Sequence, residues 1–375
     1  MVKTTMVGII VVVVVAIVAI GAFVAMQPAT PTTTTTTQTT TTTTQTTTTT
    51  TTTAKPIKVA LISISPAGDL GWTDAAYSAL TEAEEMGYDT AFTGTVADAD
   101  LINVVTTYID RGFNLILLAS ATFGPIIDAS DIPAENPDVI FVGYASTSVP
   151  VNPNVIFFEF LREEGSFCVG ALFTKLTQTN MVGSVGGIDY PVVVRSHEAF
   201  QAGVHWAVQG NWDTANPTVE VKTLYCGSWI DPAAGKISAQ TLIQEGADCL
   251  VGQCDSSTIG VIDAAEEAGD VIISYNDYVG GFAIAPEIIV STVAIRSDIM
   301  ARMILENMEA GTIRGGLWRP ALASGVVELA INPVWEDILT TEQKDYIEYV
   351  KNAIMDGDVE VPYVFEKSGV PPADF

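Results

Sequence analysis

From Lys55 to Phe365 the sequence alternates short apolar runs with stretches of helical period, and it does so in two successive series. Runs that are apolar almost throughout, joined by helices, belong to parallel sheets covered on both faces. The first series places strands at Lys58–Ser65, Asp89–Val96, Asn114–Ser120, Val139–Ala145 and Val155–Phe160, with helices at Trp72–Met86, Ala99–Arg111 and Phe123–Ser130. After a long helical stretch, Glu163–Gln178, the pattern restarts with strands at Met181–Gly187, Val219–Cys226, Asp248–Cys254 and Val271–Asn276. Helices at Val193–Gly210, Pro232–Glu245 and Thr258–Ala268 separate these strands. The expected class is α/β, with two doubly wound Rossmann-like lobes.

Ile289–Gly311 then reads as a strand and a helix long enough to return to the first lobe. A strand at Gly325–Ile331, a helix at Thr340–Met355 and an extended tail at Val359–Phe365 follow. A chain that crosses between lobes more than once makes a hinge, and two hinged lobes can close on a ligand. The first lobe is expected over about 55–160 plus 294–320, and the second over about 180–290 plus the C-terminal segments.

The N-terminus is of another kind. Lys3 precedes the unbroken apolar run Val7–Met26, whose 20 residues make about 30 Å of helix, enough to cross a bilayer core. With no clean A-x-A cleavage site and no lipobox cysteine, residues 1–27 are expected to be a retained transmembrane anchor in preference to a cleaved signal, with the remainder outside the cytoplasm. Residues 28–54 hold a threonine tract broken only by Gln38 and Gln45, which has no pattern with which to build a core. It is a stalk, either O-glycosylated or an unmodified flexible spacer. The net charge of −28 argues against nucleic acid as a partner.

If each lobe puts its first strand between its second and third, the loops at the carboxyl ends of the strands converge on the crevice between lobes. From the first lobe this brings Asp69, Gly71 and Trp72, in the strand-to-helix stretch Ile64–Leu80, together with Phe123. From the second it brings Tyr190, Trp229, Asp255, Ser256, Asn276 and Asp277. Trp72 and Trp229, one from each lobe, can sandwich a flat ring, and the carboxylates and carboxamide suit ring N–H groups or sugar hydroxyls. The competing reading makes Trp72 core and the Asp and Ser residues helix N-caps.

Catalytic signals are weak. There is no nucleophile elbow and no phosphate loop, and GSVGG at Gly183–Gly187 lacks dinucleotide spacing. His197 and His205 share a helix eight residues apart, too far for one metal, and are read as structural. Cys168, Cys226, Cys249 and Cys254 form no CxxC pair. Cys226 and Cys254 have a strand between them, out of reach of a direct bridge unless the loops fold over, so four free thiols are expected. No catalytic residue, metal or cofactor is expected.

The blocks GDLGWTDAAYSAL, RGFNLILLASATFG, REEGSFCVGAL, VGSVGGIDYPVVVRSHEAFQAG, VKTLYCGSWIDPAAGKISAQTLIQEGAD and QCDSSTIGVIDAAEEAG resemble the basic membrane protein family, over about Lys55 to Phe365. These are purine-nucleoside-receptor-like substrate-binding proteins of ABC transporters. The resemblance implies a type I periplasmic-binding-protein fold, a purine base or nucleoside held between the lobes, an ABC transporter permease as partner, and a monomer. By position, Asp69 and Trp72 match the family's first-loop acid and aromatic, Trp229 the aromatic of its GSF/GSW-D motif, and Asp255 the aspartate of TDS. Asn276 stands where nucleoside binders carry an aspartate. Ile295 with Arg296 beside it replaces a lysine, and DSSTIG at Asp255–Gly260 replaces G-x-T-G, departures that lean toward a base or another planar heterocycle. Anchor and stalk look like those of an archaeal surface-anchored binding protein. The alternatives are a sugar-binding receptor of the same architecture and a secreted nucleoside hydrolase.

Overall fold

The computed structural model of the protein describes residues 56–210 and 218–364. The apolar run and the threonine tract lie outside the described residues, and no helix among those described is long and apolar enough to cross a membrane.

Two six-stranded sheets carry the fold. In the first lobe the strands are β1 (Lys58–Ser63), β2 (Asp89–Thr93), β3 (Leu115–Ala119), β4 (Ile140–Tyr144) and β5 (Val155–Phe158). Its helices are α1 (Trp72–Glu85), α2 (Leu101–Asp110), α3 (Phe123–Asp128) and α4 (Ile132–Glu135). The chain then enters the second lobe with α5 (Arg162–Leu176), β6 (Met181–Gly186), α6 (Pro191–Val208), β7 (Glu220–Tyr225), α7 (Pro232–Gln244), β8 (Cys249–Gln253), α8 (Thr258–Ala268), β9 (Ile272–Asp277) and β10 (Ile289–Ile295). It returns with α9 (Ser297–Glu309), which packs on α1, and β11 (Gly316–Trp318), which pairs with β5. It ends in the second lobe with β12 (Val327–Ile331), α10 (Pro333–Glu336) and α11 (Thr341–Met355).

The strand orders are β11-β5-β4-β3-β1-β2 and β12-β10-β9-β8-β6-β7. In both, the first strand of the lobe lies between its second and third, as the sequence predicts. All pairings are parallel except β10 with β12. Strand β10 stays in the second sheet, and the return to the first lobe begins with α9 and continues through β11. The sequence reading missed β11, whose three residues are too few to carry a period. It also ran the third helix on to Ser130, whereas α3 ends at Asp128 and the chain restarts as α4 at Ile132.

The strands β3, β4 and β5 are buried at every position, because helices cover both faces. One core cluster fills the α1/α9 side of the first lobe and continues through the hinge to the α5/α6/α11 side of the second. Separate clusters lie under α2 and α3 and under α7 and α8. Helix α5 is apolar on most of its circumference because α6, α11 and the second sheet surround it.

Helices α7 and α8 meet backbone to backbone. A Cβ on Gly260 would lie 1.7 Å from the Pro232 carbonyl oxygen, and one on Gly235 2.0 Å from that of Ser257. Gly260→Ala is therefore expected to force the pair apart and destabilise the protein by about 1–3 kcal/mol or more, read as a lowered urea midpoint. An unchanged midpoint would contradict this contact.

Candidate functional site

Asp69 ends the first βα loop. Its carboxylate accepts backbone N–H bonds from Gly71 (3.1 Å), Thr73 (2.9 Å) and Asp74 (3.1 Å), so it fastens the start of α1. Trp72, the first residue of α1, is half-buried. Its Nε1 donates to the Ala119 carbonyl at 3.0 Å, and its ring lies edge-on to Tyr144 and Phe160, 6.0 and 6.4 Å between centroids. The Arg162 guanidinium stands over the same ring at 5.8 Å.

In the second lobe Trp229 rests on Gly187, where any Cβ would come within 2.3 Å of the indole. Its ring is nearly parallel to that of Tyr190, 7° between planes and 6.4 Å between centroids. Tyr190 is 56% exposed. Asn276 and Asp277 end β9, and Asp277 forms a buried ion pair with Arg162.

The two lobes touch at this point. The Ser256 hydroxyl donates to the Asp69 carbonyl at 3.3 Å, and the Tyr275 hydroxyl donates to that of Leu70. The Asp255 carboxyl accepts the Trp72 backbone N–H and lies against Gly71, where a Cβ would meet Oδ1 at 2.8 Å. Burial, followed by the charges of Asp277 and Asp69, pushes Asp255 up to about 8, with Arg162 opposing. Four non-glycine residues at these strand ends have positive φ: Leu70 (58°), Ala145 (56°), Asp255 (46°) and Asp277 (78°). Strained backbone of this kind gathers where a site over-determines the chain.

Arg162 is the common neighbour. It pairs with Asp277 and covers Trp72, and its charge adds to burial, the larger cause, in depressing His197 to about 3, so that imidazole is neutral. His197 Nε2, Gln253 Nε2 and Asn276 Oδ1 are buried without a hydrogen-bond partner. Each such atom costs roughly 1–3 kcal/mol while unpaired.

The hinge holds a second charged cluster. Glu159 accepts from Arg195 Nη1 (2.6 Å), Arg319 Nε (2.7 Å) and the Tyr363 hydroxyl. Burial alone would raise Glu159, but these donors outweigh it and hold the carboxyl below its ordinary range. Arg195 also donates to the Phe160 carbonyl at 3.1 Å and pairs with Glu163 at 3.0 Å, and the Tyr363 ring lies 4.6 Å from its guanidinium carbon. Burial lifts Glu163 to about 7 against the pull of Arg195.

Of the residues singled out in sequence, Asp69, Gly71, Trp72, Asp255, Ser256, Asn276 and Asp277 come together at the lobe junction, and Tyr190 and Trp229 form a pair on the second lobe. Phe123 is fully buried in the cluster under α2 and α3, because the first turn of α3 points it back at the sheet. The sequence reading did not assign Arg162, Tyr275 or Gln253 to the site, and it took His197 as structural. The available signal for Gln253 was a polar residue ending an otherwise apolar strand. For Arg162 it was a cation placed where the chain crosses lobes. All four cysteines are free, and the thiols of Cys226 and Cys254 hydrogen-bond to each other over the end of β6, so the loops do fold over. That bond holds the Cys226 thiol below its ordinary range. No group of three or more metal-ligating side chains occurs among the described residues.

Two α/β lobes joined by three chain crossings, with polar and aromatic side chains meeting between them, define a hinged binding protein. The chain belongs to the family of PnrA-like ABC transporter substrate-binding proteins, whose model matches residues 57–364. Among curated relatives, a purine-binding protein of Brucella abortus is 29% identical over 220 residues, 57% of this chain and 58% of that protein, so the chain spans little more than half its length. Basic membrane protein A1 of Borrelia garinii is 25% identical over 68% of this chain and 73% of that protein. A putative ABC transporter glucose-binding protein of Haloferax volcanii is 25% identical over 81% of this chain and 74% of that protein. The fold is shared with a solute-binding protein of an ABC transporter system from Aeropyrum pernix (TM-score 0.68, 21% identity, 85% of this chain and 94% of that one).

Proposed function

We propose that the protein captures a purine base or nucleoside between its lobes and presents it to an ABC importer, tethered to the cytoplasmic membrane by its N-terminal segment and held off it by the threonine-rich stalk. It acts as a monomer, and its site is for binding and not for catalysis. The observation that carries the ligand reading is the half-buried indole of Trp72 at the lobe junction, joined through Arg162 to Asp277 of the opposite lobe and with its backbone N–H held by Asp255, a flat ring beside carboxyl groups. The likeness to a purine-binding protein supports it.

Titration of tryptophan fluorescence and melting temperature with adenine, hypoxanthine, guanine and their nucleosides tests this reading, since a ligand of the native state alone raises the melting point. Trp72→Ala and Trp229→Ala are each expected to weaken purine binding by about tenfold or more with the fold retained. Phe123→Ala, in contrast, is expected to cost about 3–5 kcal/mol of stability. Silence across the purines would remove the ligand reading and leave the family standing. A second reading, a sugar ligand, is favoured by the putative glucose-binding relative, whose match covers more of this chain than those of the other two curated relatives cited. Glucose in the same assay separates the two.

A further inference from the structure

We propose that Gln253, Asn276 and His197 form the floor of the ligand site that decides specificity, and that they take the hydrogen-bonding edge of a planar heterocycle carrying a donor and an acceptor at neighbouring positions. This rests on the purine reading above and specifies which edge of the ring is recognised.

The sheet register puts the three together. Gly186 of β6 pairs with Tyr225 of β7 on one side and Gln253 of β8 on the other. Gln253 is one position beyond the pair Gly252–Tyr275, which sets it beside Asn276, and Asn276 in turn pairs with Val293. Paired residues share a face, so Tyr225, Gly186, Gln253, Asn276 and Val293 form one row across five strands. That row is on the side covered by α5 and α6, because Val293 meets Gly165 of α5 and the Gly186 position meets His197 of α6. It lies at the carboxyl ends of β6, β7 and β8 and one position short of the end of β9, the end of the sheet where doubly wound folds take their ligands.

The layer has room for its imidazole only because residue 186 has no side chain. A Cβ there would come 2.7 Å from His197 Nε2 and 2.8 Å from the Tyr225 ring. Gln253 Nε2 is a donor and Asn276 Oδ1 an acceptor, and although they are neighbours both are unmet. The complement is a lone pair that receives Gln253 next to an N–H that donates to Asn276. The amide edge of a 6-oxopurine and the amidine edge of a 6-aminopurine both supply it. Unsubstituted purine has hydrogen at C6 but still offers N3 beside N9–H, whereas 9-methylpurine has no N–H and supplies no such pair. His197 Nε2 adds a third contact from an imidazole that stays neutral, and Arg162, over Trp72 and paired with Asp277, joins this floor to the first lobe.

The experiment compares wild type with Gln253→Met and Asn276→Leu, near-isosteric changes that delete the unmet polar atom. Calorimetry gives the affinity for the tighter of 9-methyladenine and 9-methylhypoxanthine and for 9-methylpurine, so that only the C6 edge differs, and melting curves give the ligand-free stability. Wild type is expected to favour the substituted base by about 30-fold or more. Each variant is expected to close that gap by weakening the substituted base alone, while its ligand-free melting temperature holds or rises. Variants that keep the gap, that weaken both bases equally, or that melt earlier with the gap intact would overturn the proposal and leave these side chains as internal structure. Should one variant fail to fold, the other carries the same comparison. Wild type that binds no purine would instead remove the reading on which the proposal stands, and the proposal with it.

Discussion

Replacing Arg195 by methionine is expected to destabilise the protein by about 3–5 kcal/mol, the usual consequence of removing one partner from a buried ion pair. The side chain is 2% exposed and serves four groups at the hinge: Glu159, Glu163, the Phe160 carbonyl and the Tyr363 ring. Glu159 would keep Arg319 and Tyr363. Glu163 would lose the one cation paired with it and stay buried, so its carboxyl would have to take up a proton. The loss should therefore be larger at pH 8 than at pH 5, where that proton is already in place. Urea unfolding at the two pH values measures it. The double change Arg195→Met with Glu163→Leu should recover part of the loss, because removing both charges leaves neither uncompensated. A double variant no better than Arg195→Met alone would mean that the guanidinium acts through packing and not through charge. Binding should also suffer, because this cluster joins the Glu159–Arg162 crossing to Arg319 in another crossing and to the C-terminal segment.

Raising the pH from 5 to 8 is expected to weaken the native state through Asp255. The carboxyl titrates near 8 in the folded protein and near 4 when the chain is unfolded. Between those values the native state holds the extra proton, so stability falls as pH rises. The contribution is complete below pH 4 and gone above pH 8, and each unit of difference is worth about 1.4 kcal/mol, a few kcal/mol in all. Because the group is buried against Gly71 and Trp72 of the opposite lobe, the loss should be felt first as loosening between lobes. Asp255→Asn removes the titration. Its melting temperature should fall less between pH 5 and 8 than that of wild type, and should exceed wild type at pH 8. Glu163 titrates near 7 with the same sign and will leave a residual slope in the variant. Identical slopes in the two proteins would show that Asp255 is ionised throughout.

Sequence was a good guide where a local pattern carries the physics. A strand apolar throughout has to be covered on both faces, and a helix of limited length has to return to the same sheet. The β/α order, the place of the first strand in each lobe, and the loops beyond β1, β8 and β9 follow from that. Asp69, Trp72, Asp255 and Asn276 are singled out in sequence because they stand at the ends of strands or on the loops that follow them. Phe123 was misplaced by the same rule: the loop after β3 was assigned correctly, but side-chain direction within a turn is set by what the turn packs on.

What the sequence by itself determined about this protein is its class: two wound lobes, a crevice at the carboxyl ends of their strands, and aromatic and acidic residues on the loops that border it. What only the tertiary structure decided is which polar groups are left wanting. Arg162 meets Trp72 and Asp277 because the chain crosses lobes beside them, and Gln253 stands next to Asn276 because β8 pairs with β9 in one register and not the next. Alternation along a strand or turn along a helix is a short-range constraint, written into neighbouring residues. The pairing of side chains on different elements depends on how whole elements stack, and no local pattern encodes that.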